Sequence, residues 1–209
     1  MLDDYLAKFT EKAKACHEIH LVGPLIGLAP DYAGPVNYPG PILYVDGGAD
    51  FRYGEQGLAV GDGDSAQSPM DVKLNYSKDY SDLSFVLNYI PAAFKKIHLH
   101  GFLGGRRDHE LMNFAEIHRF LIGRNLTQAR FADEVLACSA GVYQLPIQGL
   151  FSLFLFAETT VELTGDCAYH VQKAQQIIPL SSHGLSNTGR GQVKLKCNGP
   201  LFIFFTHGL

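Results

Sequence analysis

Tryptophan is absent from this 209-residue chain and charge is sparse: 18% of residues are Asp, Glu, Lys or Arg, against 46% that are hydrophobic. So apolar a composition excludes a long disordered chain, and the length suffices for one large domain or two small ones with real cores. A basic excess is missing too. Seventeen Lys and Arg face 21 Asp and Glu, for a formal charge of −4. A nucleic-acid binder working through a basic surface is therefore not expected, and any phosphate site has to be local. Long apolar runs are lacking: the stretch around residues 153–157 is far short of a membrane span. The first residues, Met1 to Phe9, lack the basic start and apolar centre of a secretory signal. The expectation is a cytoplasmic protein with no membrane partner. Cys16, Cys138, Cys167 and Cys197 are widely scattered without a CxxC pair, so they read as reduced structural thiols.

What is present is a change of grammar along the chain. Leu2, Tyr5, Leu6, Phe9, Ala13 and Cys16 recur at helical spacing and predict an amphipathic helix over the first 17 residues. Short apolar segments at Ile19 to Val22, Ile42 to Val45, Leu58 to Val60 and Ile97 to His100 predict strands. The stretch from Gly23 to Pro41 is too rich in glycine and proline for regular structure. Leu83, Val86, Leu87 and Ile90 trace one face of a helix with Ser81 as N-cap, which Pro91 brings to an end. Asp108 to Ile122 predicts another helix, with Leu111, Phe114, Ala115, His118, Leu121 and Ile122 facing inward. Strand, glycine turn, helix is the order of a mostly parallel sheet that binds ligands at the carboxyl ends of its strands. From about residue 145 short alternating strands take over at Phe151 to Phe156, Val161 to Leu163 and Val193 to Cys197. Asn198-Gly199 marks a hairpin turn into Leu201 to Phe205. A small antiparallel sandwich or barrel is expected there.

Acids and glycines concentrate between Asp46 and Asp82. If Asp62 and Asp64 lie on an extended segment, their carboxylates leave the same face and repel unless a cation sits between them. Mg²⁺ commonly takes one or two carboxylates plus substrate phosphates, with Asp79 or Asp82 as a third ligand here. Taken alone, the spacing equally suits turn and N-cap aspartates. The segment from Gly101 to His109 offers glycine amides, a helix start and Arg106 and Arg107, all suited to phosphate. A plain strand-to-helix turn, with Asp108 as N-cap, fits the same residues. Among the nine histidines, His98 and His100 alternate on a strand, and His109 and His118 follow on the next helix. No HxxxH or CxxC accompanies them, so they read as satisfied polar positions. Cys138-Ser139 lacks the GxSxG setting of a nucleophile.

Five short segments, taken in order, resemble thiamin pyrophosphokinases: Asp46-Gly47-Gly48-Ala49, Gly61-Asp62-Gly63-Asp64-Ser65, Lys78-Asp79-Tyr80-Ser81-Asp82, Gly104-Gly105-Arg106-Arg107-Asp108-His109-Glu110-Leu111-Met112-Asn113 and Gly184-Leu185-Ser186-Asn187. The resemblance spans roughly residues 42–209. It implies an α/β chain in which a Rossmann-like α/β nucleotide-binding domain, residues 1–145, precedes a small antiparallel β-sandwich domain, residues 146–209. It further implies transfer of the pyrophosphoryl group of ATP to thiamin with AMP leaving, and a homodimer with active sites between subunits. Asp62, Asp64 and Asp82 would then hold Mg²⁺, while Arg106 and Asp108 hold ATP and position the reacting groups. Asp46, Gly47, Gly48, Lys78, Gly104, Gly105, His109 and Asn113 would line the ATP side, and Ser186 and Asn187 the thiamin side. The tryptophan that stacks on thiamin in the family has no counterpart, leaving Tyr169, Phe202 or Phe204 as the aromatic face. Another hydroxyalkyl heterocycle such as a pterin, or a non-catalytic nucleotide- or thiamin-binding role, stays open beside the thiamin reading.

Overall fold

The computed structural model describes residues 1–12, 17–28, 40–52 and 54–206. The chain divides into two compact units, Met1–Glu116 and Ile117–Leu209. In the first, the elements are α1 (Leu2–Lys12), β1 (Glu18–Val22), β2 (Ile42–Val45), β3 (Leu58–Gly61), β4 (Val72–Lys73), α2 (Asp82–Tyr89), β5 (Lys96–His100) and the start of α3 (Arg107–Leu121). The five strands are parallel in the order β5-β1-β2-β3-β4. Ile19, Leu21, Leu43, Ala59, Val60 and Ile97 are wholly buried. Near-continuous apolar strands are what a parallel sheet covered on both faces requires, and each large side chain so buried contributes roughly 1.5–3 kcal/mol.

In helix α1, Leu2 and Leu6 are buried and the Tyr5 hydroxyl reaches the sheet, accepting from the Ile42 N–H at 3.2 Å and donating to the Ile42 carbonyl at 3.3 Å. Residues 13–16 of the helix expected over the first 17 residues lie outside the described residues, as do 29–39 of the Gly/Pro-rich stretch. Helix α2 starts as read from sequence, with the Ser81 hydroxyl accepting from the Ser84 N–H at 3.0 Å, and ends just before Pro91. Helix α3 departs from expectation in its buried face. Ile117, His118 and Leu121 are buried, whereas Leu111 and Ile122, expected inside, are 54% and 58% exposed.

The second unit is antiparallel: β6 (Gln128–Phe131), β7 (Val135–Cys138), β8 (Gly141–Phe154), β9 (Thr159–Cys167), β10 (Val171–Ile177), β11 (Asn187–Cys197) and β12 (Leu201–Phe205) lie in the order β10-β9-β11-β8-β12-β7-β6. Strands therefore begin at Gln128 rather than near residue 145, which falls within β8. A reading by alternation passes over β7 because all four of its residues are buried. The segment read as a strand at Phe151 to Phe156 begins within the C-terminal part of β8, which runs in register with β11 from Gly141 opposite Cys197 to Phe151 opposite Asn187. Asn198-Gly199 does not close the expected hairpin: β12 pairs with β7 and β8, while β11 pairs with β8 and β9. Asn198 instead joins Thr160, its N–H donating to the Thr160 carbonyl at 3.2 Å and its side-chain oxygen accepting from the Thr160 N–H at 2.8 Å. Among the described residues no helix is long and apolar enough to cross a membrane.

Two glycines at the edge of the parallel sheet separate crowding from backbone strain. A Cβ on Gly48 would sit 2.0 Å from the Val22 carbonyl oxygen, whereas one on Gly104, at φ +83°, would meet nothing within 4 Å. Gly48→Ala is expected to cost about 3 kcal/mol or more through overpacking. Gly104→Ala should cost about 1–2 kcal/mol from its left-handed backbone alone. Denaturant unfolding of the two variants measures the difference.

Candidate active site at the carboxyl ends of the parallel strands

Asp46 follows β2 and Asp62 follows β3. These strands are parallel neighbours with Val45 opposite Val60, so both acids emerge at one carboxyl edge. Asp82 arrives from elsewhere in the chain as the first residue of α2, placed by the Ser81 cap. One carboxylate oxygen from each of Asp46, Asp62 and Asp82 lies within 4.8 Å of the other two. Gly61 permits this approach, since a Cβ there would stand 2.9 Å from the Asp46 Cα. Asp46 takes φ +47°, a left-handed conformation that Asp tolerates better than most residues.

Lys78, with a side chain 7% exposed, pairs with Asp62 and lies 3.3 Å from Asp82 Oδ1. Its hydrogen bond holds the Asp62 carboxyl below the usual range, helped by the Asp64 N–H that donates to Asp62 Oδ1 at 3.2 Å. Burial pushes Asp46 upward, against hydrogen bonds from Gly47 and Ser65. Burial likewise raises Asp82 despite the nearby ammonium. Lys78 itself loses solvation, but the two carboxylates outweigh that and raise it, so it stays protonated. Three carboxylates face two ammoniums, Lys78 among them and Lys73 donating to the Asp62 carbonyl, and leave negative charge uncompensated. Asp46 Oδ1 and Asp82 Oδ1 are buried and lack a hydrogen-bond partner among the described residues, Lys78 meeting the latter as an ion pair without hydrogen-bond alignment. Buried, oxygen-only, net-negative donors suit a hard divalent cation such as Mg²⁺.

The trio differs from the expected one. Asp64 is exposed and its carboxylate accepts from the Ser65 hydroxyl at 2.9 Å, while Asp46 takes a place in the cluster. The reason is Gly63: its φ of +70° breaks the extended run on which a shared face for Asp62 and Asp64 depended. Gly47 and Gly48 lie buried in the 3₁₀ turn over Asp46–Phe51. Asp79 is exposed.

The loop before α3 is open to solvent. Gly104 and Gly105 adopt positive φ, and the Gly104 N–H donates to Glu110 Oε1 at 3.0 Å. Arg106 forks onto Asp108, with Nε at 3.1 Å and Nη2 at 2.5 Å from its two oxygens. That hydrogen bond brings the Asp108 carboxyl down to about 2. Asp108 lies inside α3 rather than capping it, and its Oδ1 also accepts from the His109 N–H at 3.0 Å. His109 is exposed, and Asn113 donates to the Phe102 carbonyl at 2.8 Å, anchoring the loop.

Ser186 and Asn187 belong to the second unit. Ser186 has φ +63°, and its N–H donates to Ser152 Oγ at 3.0 Å. Asn187 is buried and spends its amide on backbone: Oδ1 accepts from the N–H groups of Tyr169 and Thr188, and Nδ2 donates to the Tyr169 carbonyl. Tyr169, thus held, is 69% exposed, whereas Phe202 is wholly buried. Of the aromatic candidates, Tyr169 offers a face to a ligand and Phe202 does not.

No family model matches the sequence, and no curated protein matches it. Solved structures do. The thiamine pyrophosphokinase from Bacillus subtilis aligns with a TM-score of 0.68 at 21% identity, covering 89% of this chain and 97% of that one. The thiamin pyrophosphokinase from Geobacillus thermodenitrificans gives 0.66 at 20% identity, covering 92% and 100%. The enzyme from Candida albicans gives 0.64 at 13% identity, covering 96% and 89%. At these identities the likeness is one of fold, and function has to be argued from the site. The chain has the fold of the thiamin pyrophosphokinases.

Proposed function

We propose that this chain is an ATP-dependent diphosphotransferase that moves the pyrophosphoryl group of ATP to the hydroxyl of thiamin, giving thiamin diphosphate and AMP. The observation that carries the reading is the half-buried trio of Asp46, Asp62 and Asp82, with Lys78 among them, at the carboxyl edge of a parallel sheet. In this reading the first unit is the Rossmann-like nucleotide-binding domain and the second the thiamin-binding β-sandwich, paired as a homodimer.

The thiamin hydroxyl oxygen attacks the β-phosphorus of ATP in line. A bond forms from that oxygen to phosphorus, the bond from phosphorus to the bridging oxygen of AMP breaks, and the hydroxyl proton leaves to solvent or to a carboxylate of the cluster. Such transfers depend on positioning and charge neutralisation rather than on a protein nucleophile. Asp46, Asp62 and Asp82 would hold Mg²⁺, which supplies neutralising charge to the phosphoryl oxygens. Lys78 and Arg106 add cationic donors for the polyphosphate. Asp108, a weak base beside Arg106, orients that guanidinium instead of taking a proton. Asn187 positions Tyr169 as the aromatic face for the acceptor.

The deciding experiment is AMP release from ATP and Mg²⁺ with thiamin, with a hydroxymethylpterin and without acceptor. Thiamin-dependent AMP is expected. Asp62→Asn should lower it by on the order of 10²–10³-fold, and Asp64→Ala, outside the trio, by less. AMP formed with the pterin alone would reassign the acceptor, a reading favoured by the missing tryptophan and the buried Phe202. ATP binding without AMP would make the chain a binding protein.

Stability supplies a second check. Asp46, raised by burial, takes up its proton in the folded chain at a higher pH than in the unfolded chain, so its ionised form destabilises the fold at neutral pH. Asp46→Asn is expected to raise the Tm of the metal-free protein at pH 7, by about 2–4 °C for each kcal/mol relieved in a chain of this size. That advantage should shrink as pH falls toward the ordinary carboxylate range, and the variant should lose the Tm rise that Mg²⁺ gives the parent. Asp62 has the opposite sign: its contribution is present at neutral pH and lost in acid, below the ordinary carboxylate range.

A further inference from the structure

Strands β1 and β5 place a second group of ligating side chains on one face of the parallel sheet, sharing no residue with the acidic trio. Their register sets Glu18 opposite Lys96 and His20 opposite His98, and alternation puts His100 on the same face. The His20 and His98 rings stack with centroids 4.6 Å apart and planes 11° apart. One ligand atom from each of Glu18, His20 and His98 lies within 4.8 Å of the other two. His98 Nε2 is 3.2 Å from Glu18 Oε2, while Lys96 pairs with the other oxygen, Oε1.

We propose that Glu18, His20 and His98 form a second cation site, selective for a borderline transition ion such as Zn²⁺. The donor set argues for it: two imidazoles and a carboxylate prefer Zn²⁺ and its neighbours to Mg²⁺, which takes oxygen ligands. The spacing argues for it as well. Ligand bonds of about 2.0–2.1 Å in a tetrahedron separate donor atoms by roughly 3.3 Å, close to the existing gap between His98 and Glu18, and the His20 ring, stacked on His98 with its nitrogens in a parallel plane, turns out of that stack to reach the same ion. His100 completes the arrangement, its Nε2 lying 3.1 Å from His20 Nδ1. In the tautomer that donates from Nδ1, His20 carries its lone pair at Nε2, the usual way a second group fixes a ligating imidazole. The Glu18 and His98 side chains are 36% and 24% exposed, which gives the ion a way in. Bound there, it clips together two strands whose contributing residues, Glu18 and His98, are 80 positions apart.

The test is calorimetric titration of the full chain with Zn²⁺ in excess Mg²⁺, alongside Co²⁺ absorption, which separates nitrogen-containing tetrahedral sites from all-oxygen ones. One Zn²⁺ per chain and a Zn²⁺-dependent rise in Tm are expected. His98→Ala and Glu18→Gln should each weaken binding by at least about tenfold, and Asp62→Asn should leave it intact. Both changed side chains are partly exposed, and circular dichroism checks that the variants fold. Absence of binding in excess Mg²⁺, binding that both variants retain in full, or binding that Asp62→Asn abolishes would each overturn the site.

Discussion

Negative charge held away from water at the carboxyl edge of the sheet is the constraint around which the first unit is arranged. Two carboxylates no more than 4.8 Å apart repel by about 3 kcal/mol or more at an effective dielectric near 20. Three do not gather by chance, so backbone devices have to hold them. Parallel pairing of β2 with β3 fixes Asp46 and Asp62, Gly61 yields its Cβ space to Asp46, and the Ser81 cap sets Asp82 at the head of α2. Lys78 offsets part of the charge, and in the proposed reading a bound cation would neutralise what remains. In that reading stability and binding pull on the same residues in opposite directions, as at many functional sites.

Much of the first unit is legible in the sequence because its signals are local. Apolar runs bounded by glycine announce β1, β2, β3 and β5, and Ser81 and Pro91 mark the two ends of α2 within a few residues of chain. The site is legible as a composition of acids between Asp46 and Asp82, but its membership depends on backbone angles and strand pairing. Gly63, which reads as a neutral spacer, turns the chain and takes Asp64 out of the cluster. The signal for Asp46 was its position after an apolar strand parallel to β3, and that register appears once the sheet is assembled. The histidine face is hidden for the same reason: His98 and His100 alternate visibly, but Glu18 and His20 join them only through pairing of β1 with β5.

In the second unit the local rules mislead where tertiary pairing overrides them. Asn-Gly is a strong hairpin signal, yet Asn198 is occupied by Thr160 and the strand that follows goes elsewhere. Strand β7 has no alternation to detect because both its faces are covered. Asn187 shows the complementary case. Its identity is suggestive of ligand recognition, but its amide is consumed in fixing the backbone of Tyr169, so its influence passes through that neighbour.

The placement of β12 also bears on how the chain is made. Residues 201–205 lie between β7 and β8, so the pairing that joins residues 135–138 to the long β8 strand waits for the last strand to insert. A chain emerging from the ribosome with its N-terminal end first can assemble the parallel sheet of unit one early, since β1 to β5 end at His100. The antiparallel unit instead holds open two adjacent strand edges until synthesis has passed residue 205, and those edges are what a folding chain has to keep from other chains in the interval.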